Sequence, residues 1–132
     1  MSQEGARHRA GLWLRQAEDD LRAARLLQGG GQASQACFLS QQVGEKAIKA
    51  LLAADDRDLR SHSLGALLRE LGEESAQRWQ RQARALDKLY APTRYPDALG
   101  DELPADVFGP EDVEVALEAA TALLAWAREV LG

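Results

Sequence analysis

The sequence predicts an all-α fold, an antiparallel bundle of four long helices and one short one. Three observations carry it. Ala and Leu dominate the 132 residues, whereas Ile occurs once, at Ile48, and Thr only at Thr93 and Thr121; residues that keep their freedom in a helix are abundant and strand formers are scarce. Apolar residues recur at three- and four-residue spacing through several long stretches, the period of one helix face. The glycine run at residues 29–31, Gly72 and the four prolines fall between those stretches or at their edges.

The first helix is expected over residues 8–28, with Ala10, Trp13, Ala17, Leu21 and Ala24 on one face and Leu14 and Leu27 widening it. Three successive glycines, Gly29 to Gly31, end it, because ordering them in a helix loses too much backbone entropy. A second helix over residues 33–54 places Ala36, Leu39, Val43, Ala47, Ala50, Leu51 and Ala54 on its inner face. Gln41, Glu45 and Lys49 form a second row, read as an exposed i,i+4 ion pair. Ser63 is a good N-cap for a short helix over residues 64–71 that Gly72 closes. A fourth helix over residues 75–90 turns Ala76, Trp79, Ala83, Leu86 and Tyr90 inward until Pro92 and Pro96 stop it. Residues 91–109 form the one long connection, and Pro110 opens the last helix, through residue 131.

Residues 1–132 read as one domain, long enough to bury a shared core without staples. A lone Cys37 excludes an internal disulfide and suits a reducing, cytoplasmic setting. No apolar stretch is long enough to span a bilayer. His8, His62 and Cys37 are the only nitrogen or sulfur ligands, so neither a metal nor any other cofactor is expected. Net charge is −5, and residues 101–132 carry eight acids against Arg128 alone. Such a balance speaks against a broad grip on phosphate backbones. Nucleophile elbows, zinc-protease helices, dinucleotide glycine fingerprints and P-loops are all absent.

Chemistry-bearing residues gather in two places. Residues 90–97 read Tyr-Ala-Pro-Thr-Arg-Tyr-Pro-Asp, and two prolines stiffen the segment. Tyr90 and Tyr95 are suited to stacking, Arg94 to forking onto a phosphate, and Asp97 to polar contact. His62, just ahead of the short helix, is the second place, and Lys46 and Lys49 on the second helix are expected to add positive charge nearby.

The stretch from Glu18 to Leu27, the run Cys-Phe-Leu-Ser-Gln-Gln-Val-Gly-Glu-Lys-Ala-Ile-Lys-Ala-Leu-Leu over residues 37–52, His62-Ser63-Leu64 and residues 90–97 stand in the order seen in HEPN domains. The chain resembles that family over nearly its whole length. The resemblance implies a homodimer of helical bundles, often encoded beside a small nucleotidyltransferase of toxin–antitoxin type. Some members are proposed to bind nucleotides, and others are metal-independent ribonucleases with an Arg, four to six intervening residues, and then a His. No histidine follows Arg94 at that interval. Arg57 and His62 fit the spacing but fall ahead of the short helix, outside the region where the family carries it. The expected function is therefore a non-catalytic nucleotide-binding and interaction module with a nucleotidyltransferase partner, a nucleotide being favoured over RNA as ligand. The alternative is a ribonuclease that uses Arg94 or Arg57 with His62.

Overall fold

A computed structural model describes residues 2–132. Its long elements are α1 (Gln3–Gly29), α2 (Ala33–Ala54) and α7 (Pro110–Leu131). Between α2 and α7 lie α3 (Leu64–Leu71), α4 (Glu73–Arg78), α5 (Gln80–Asp87), a 3-10 turn (Pro96–Leu99) and the one-turn α6 (Pro104–Val107). No strand occurs among the described residues, and none of the helices there is long and apolar enough to cross a membrane.

The elements form the four legs of a bundle. α1 and α2 run antiparallel, and Arg9 near the start of α1 pairs with Asp56 just past the end of α2 at 2.6 Å. α7 lies alongside α2 in the same direction, and α4 with α5 forms the returning leg. α2 is the centre, packing on α1, α3, α5 and α7. Fourteen of its 22 residues are buried, so it presents no solvated face in its middle turns.

Gly44 explains how so many elements converge on α2. A Cβ there would lie 2.7 Å from Leu64 Cδ2, 2.7 Å from Leu86 Cδ1 and 3.3 Å from Leu123 Cδ1. The hydrogen of glycine lets α3, α5 and α7 meet at one point of the core.

The leg expected as one helix over residues 75–90 is interrupted at Trp79, whose ψ of 13° leaves the helical region. The path continues through the break, since Trp79 N–H donates to Ser75 O at 3.1 Å and Ala83 N–H to Trp79 O at 2.9 Å. Neither Pro nor Gly marks the site. The indole is buried against Trp126, with ring centroids 5.0 Å apart, and packing there outweighs regular backbone geometry. The helix also stops at Asp87, three residues early, because the Asp87 carboxylate turns back to cap α3. It accepts from Leu64 N–H at 2.7 Å, from Gly65 N–H at 3.1 Å and from the Ser63 hydroxyl at 3.3 Å. Ser63 is the N-cap its sequence position predicts, accepting from Ala66 N–H at 3.1 Å.

Two further expectations fail locally. Gln41 and Glu45 are buried, at 0% and 3% exposure, rather than solvated. The connection after α2 folds back over them, and Gln41 Nε2 donates to His62 O at 3.0 Å. Ala54, placed on the inner face, is exposed because it lies in the last turn, beyond the cover of α3.

Candidate functional site

Residues 89–95 coil into tight turns rather than running extended. The buried Thr93 hydroxyl donates to Leu89 O, and the amides of Arg94 and Tyr95 both donate to Ala91 O at 3.0 Å. This coil sets Tyr90, Arg94 and Tyr95 on one side, facing Phe38 near the start of α2. Arg94 Nε donates to Tyr90 O at 3.2 Å, which fixes the arm. Its guanidinium carbon lies 4.4 Å from the ring centre of Tyr90, 4.6 Å from Phe38 and 4.8 Å from Tyr95. Each such contact is worth about 0.5–1 kcal/mol at an exposed site. Three rings therefore orient a cation that has no carboxylate partner among the described residues.

His62 joins this cluster from the turn before α3. Its ring stacks on Tyr90 with centroids 4.6 Å apart and planes 18° from parallel. His62 Nδ1 lies 3.1 Å from Glu45 Oε1. Glu45 Oε2 accepts from Lys49 Nζ at 3.0 Å, so the group acts as a carboxylate that only accepts. The proton of a neutral His62 therefore sits on Nδ1, which leaves Nε2 as the second ring nitrogen of a side chain 60% exposed. Lys49, at 16% side-chain exposure, also lies 5.3 Å from the centre of the Trp13 ring.

The fold thus gathers His62, Tyr90, Arg94 and Tyr95 and reaches Lys49 through Glu45. Lys46 is engaged elsewhere, 2.5 Å from Asp20 on α1, whose other oxygen accepts from Gln16 Nε2 at 3.0 Å. Asp97 is exposed on the 3-10 turn, with no ion-pair partner among the described residues. Arg57 pairs with Asp55 at 3.4 Å and Glu70 at 3.6 Å, which takes it away from His62. Phe38 and Glu45 are the members that sequence reasoning missed. The available signal was their spacing of seven residues, two helical turns on one face.

Cys37 takes no part in reactive chemistry. Burial, with the Asp112 carboxylate adding to it, pushes the thiol from an ordinary 9.0 to about 11. It stays protonated and inert at neutral pH. No group of three or more His, Cys, Asp or Glu suited to a metal occurs among the described residues.

The model of one protein family, the HEPN domain, matches residues 10–130. Solved structures share the fold over nearly their whole lengths. TT1696 from Thermus thermophilus is 38% identical, with a TM-score of 0.87 over 92% of this chain and 97% of that one. ST0689, described as an archaeal HEPN homologue, is 35% identical, with a TM-score of 0.81 over 94% and 98%. A HEPN domain protein of Thermotoga maritima, tm0613, is 26% identical, with a TM-score of 0.71 over 90% and 96%. No curated protein matches the chain.

Proposed function

The chain belongs to the HEPN domain family, and we propose that within it this protein is a cytoplasmic, homodimeric nucleotide-binding and interaction module without bond-breaking chemistry of its own. Its partner in this reading is a separately encoded small nucleotidyltransferase of toxin–antitoxin type. Arg94 carries the nucleotide part. A guanidinium held by three rings and one backbone bond, with no carboxylate among the described residues to neutralise it, has already met the ordering cost of binding an anion. Its planar fork suits phosphate. Tyr90 is engaged by His62 and Arg94, so the half-exposed Tyr95 is the ring left for a base. Nε2 of the exposed His62 ring is a further hydrogen-bonding group beside them.

Calorimetric titration with ATP, GTP and CTP tests this reading. At least one is expected to bind, and Arg94→Ala to weaken it about tenfold or more, since a hydrogen bond to a charged group is worth about 1.5–3 kcal/mol. Absence of heat with wild type, or unchanged affinity in Arg94→Ala, removes it. Co-expression with a nucleotidyltransferase encoded next to the protein, followed by co-purification, tests the partner.

One observation favours a second reading, a metal-independent ribonuclease. A buried carboxylate behind an exposed imidazole is the arrangement of an oriented acid–base group, and Arg94 lies on the same tyrosine ring to hold a phosphate. In this reading wild type cleaves single-stranded RNA in the presence of a chelator and His62→Ala does not. Cleavage retained in that variant, or none in wild type, excludes it.

A further inference from the structure

The outward face of α5 and α7 carries six charged side chains that the fold leaves unused. Arg81, Arg84 and Lys88 stand along α5 and just past its end, and Glu111, Glu114 and Glu118 along the first half of α7. All six are exposed. None forms an ion pair among the described residues. Each row spans seven residue steps, about 10 Å of helix at ~1.5 Å per residue. Between the rows runs a groove of about 240 Å³ floored by Ala85, Ala119 and Ala122. Val115 stands at its edge, 58% exposed in the middle of the acidic row. Arg81 and Glu118 line the same groove, and the two helices run in opposite directions, so Lys88 comes level with Glu111.

We propose that this face docks a second copy of the chain, about a two-fold axis parallel to the helices and midway between α5 and α7. That rotation lays the α5 of each copy over the α7 of the other at the same level. Arg81 then meets the partner's Glu118, Arg84 the partner's Glu114, and Lys88 the partner's Glu111, each twice by symmetry. A two-fold across the helices would set cation on cation and acid on acid. The partner's Val115 falls over Ala85, where the small side chain leaves room for it. An apolar strip inside a charged rim is the general anatomy of a protein–protein contact. A nucleic acid would be repelled by the acidic row, whereas a copy of the same face supplies both signs at matched length.

The inference specifies the seam of the homodimer in the reading above and needs neither Arg94 nor a nucleotide. Sedimentation equilibrium of the full chain tests it. Wild type is expected to be a dimer whose dissociation constant rises about tenfold between about 0.05 and about 0.5 M NaCl, as screening weakens the rim. Arg81→Glu/Arg84→Glu and Glu114→Lys/Glu118→Lys are each expected to be folded monomers by circular dichroism. Mixed in equal amounts they should restore the dimer. Val115→Asp, which leaves both rows intact, should also weaken it at least about tenfold. A monomeric wild type, reversed variants that still self-associate, or a mixture of folded variants that stays monomeric would each overturn the seam. Nucleotide titration on the same variants keeps the two ideas apart. Heat retained without a dimer defeats the seam alone, and a dimer obeying the charge rule without heat defeats nucleotide binding alone.

Discussion

Glu45 shows how much one side chain organises. Its two oxygens are shared among His62, Lys49 and Gln41, which come from two different stretches of chain. Replacing it with Ala leaves the largely buried Lys49 ammonium without its carboxylate, while Gln41 keeps His62 O, so Glu45→Ala is expected to cost about 2–3 kcal/mol. Urea denaturation reads this directly, as a lower midpoint at unchanged slope. Glu45 was hard to see in the sequence because its i,i+4 lysine is the usual mark of a solvated face. Burial came from the His62 segment folding back, a contact 17 residues away that no local pattern encodes. Arg94 and Tyr95, by contrast, stood out because two prolines and two tyrosines have no obvious purpose in a mere spacer. Lys46 was misplaced for a related reason. Being one turn from Lys49 puts it near that side chain's row, but the buried Asp20 across the α1 contact draws its ammonium toward α1.

At the level of helices, glycine is the sharper test of packing. Gly44 and Gly11 both sit inside helices, yet a Cβ at Gly11 meets nothing within 4 Å, whereas at Gly44 it meets three leucines. Gly11→Ala is therefore expected to stabilise by about 0.5–1 kcal/mol through helix propensity alone. Gly44→Val is expected to destabilise by about 2 kcal/mol or more, because three buried side chains must move at once. Opposite shifts in thermal midpoint on the two variants check both. Helix starts and stops were legible wherever a local cap or breaker set them, as at Ser63, Gly72 and Pro110. The break at Trp79 and the early end at Asp87 were not, since a distant indole and a distant backbone amide cause them.

Across the molecule, α2 is covered by four other helices while residues 96–109 lie at the surface. Amide exchange should follow that gradient. The middle turns of α2, about residues 43–52, are expected to open only with global unfolding, and residues 96–109 to exchange first. Slower exchange in the connection than in α2 would contradict the burial pattern. The all-α bundle and its leg count were legible from apolar period and punctuation, because those local rules agree along nearly the whole chain. Which leg lies at the centre was not, since the Ala-rich stripes of α1, α2 and α7 look alike until Gly44 is seen to accept neighbours on so many sides.

The carboxylate of Asp87 ties the two ends of residues 64–87 together, so that α3, α4 and α5 form a ring closed without a covalent bond. A single cut at the Gly72 bend would open the backbone without releasing either piece, for one half keeps Leu64, Leu67 and Leu68 in the core, the other keeps Trp79, Ala83 and Leu86, and both still hold the clasp. This quarter of the bundle is unlocked at the aspartate, not at the bend.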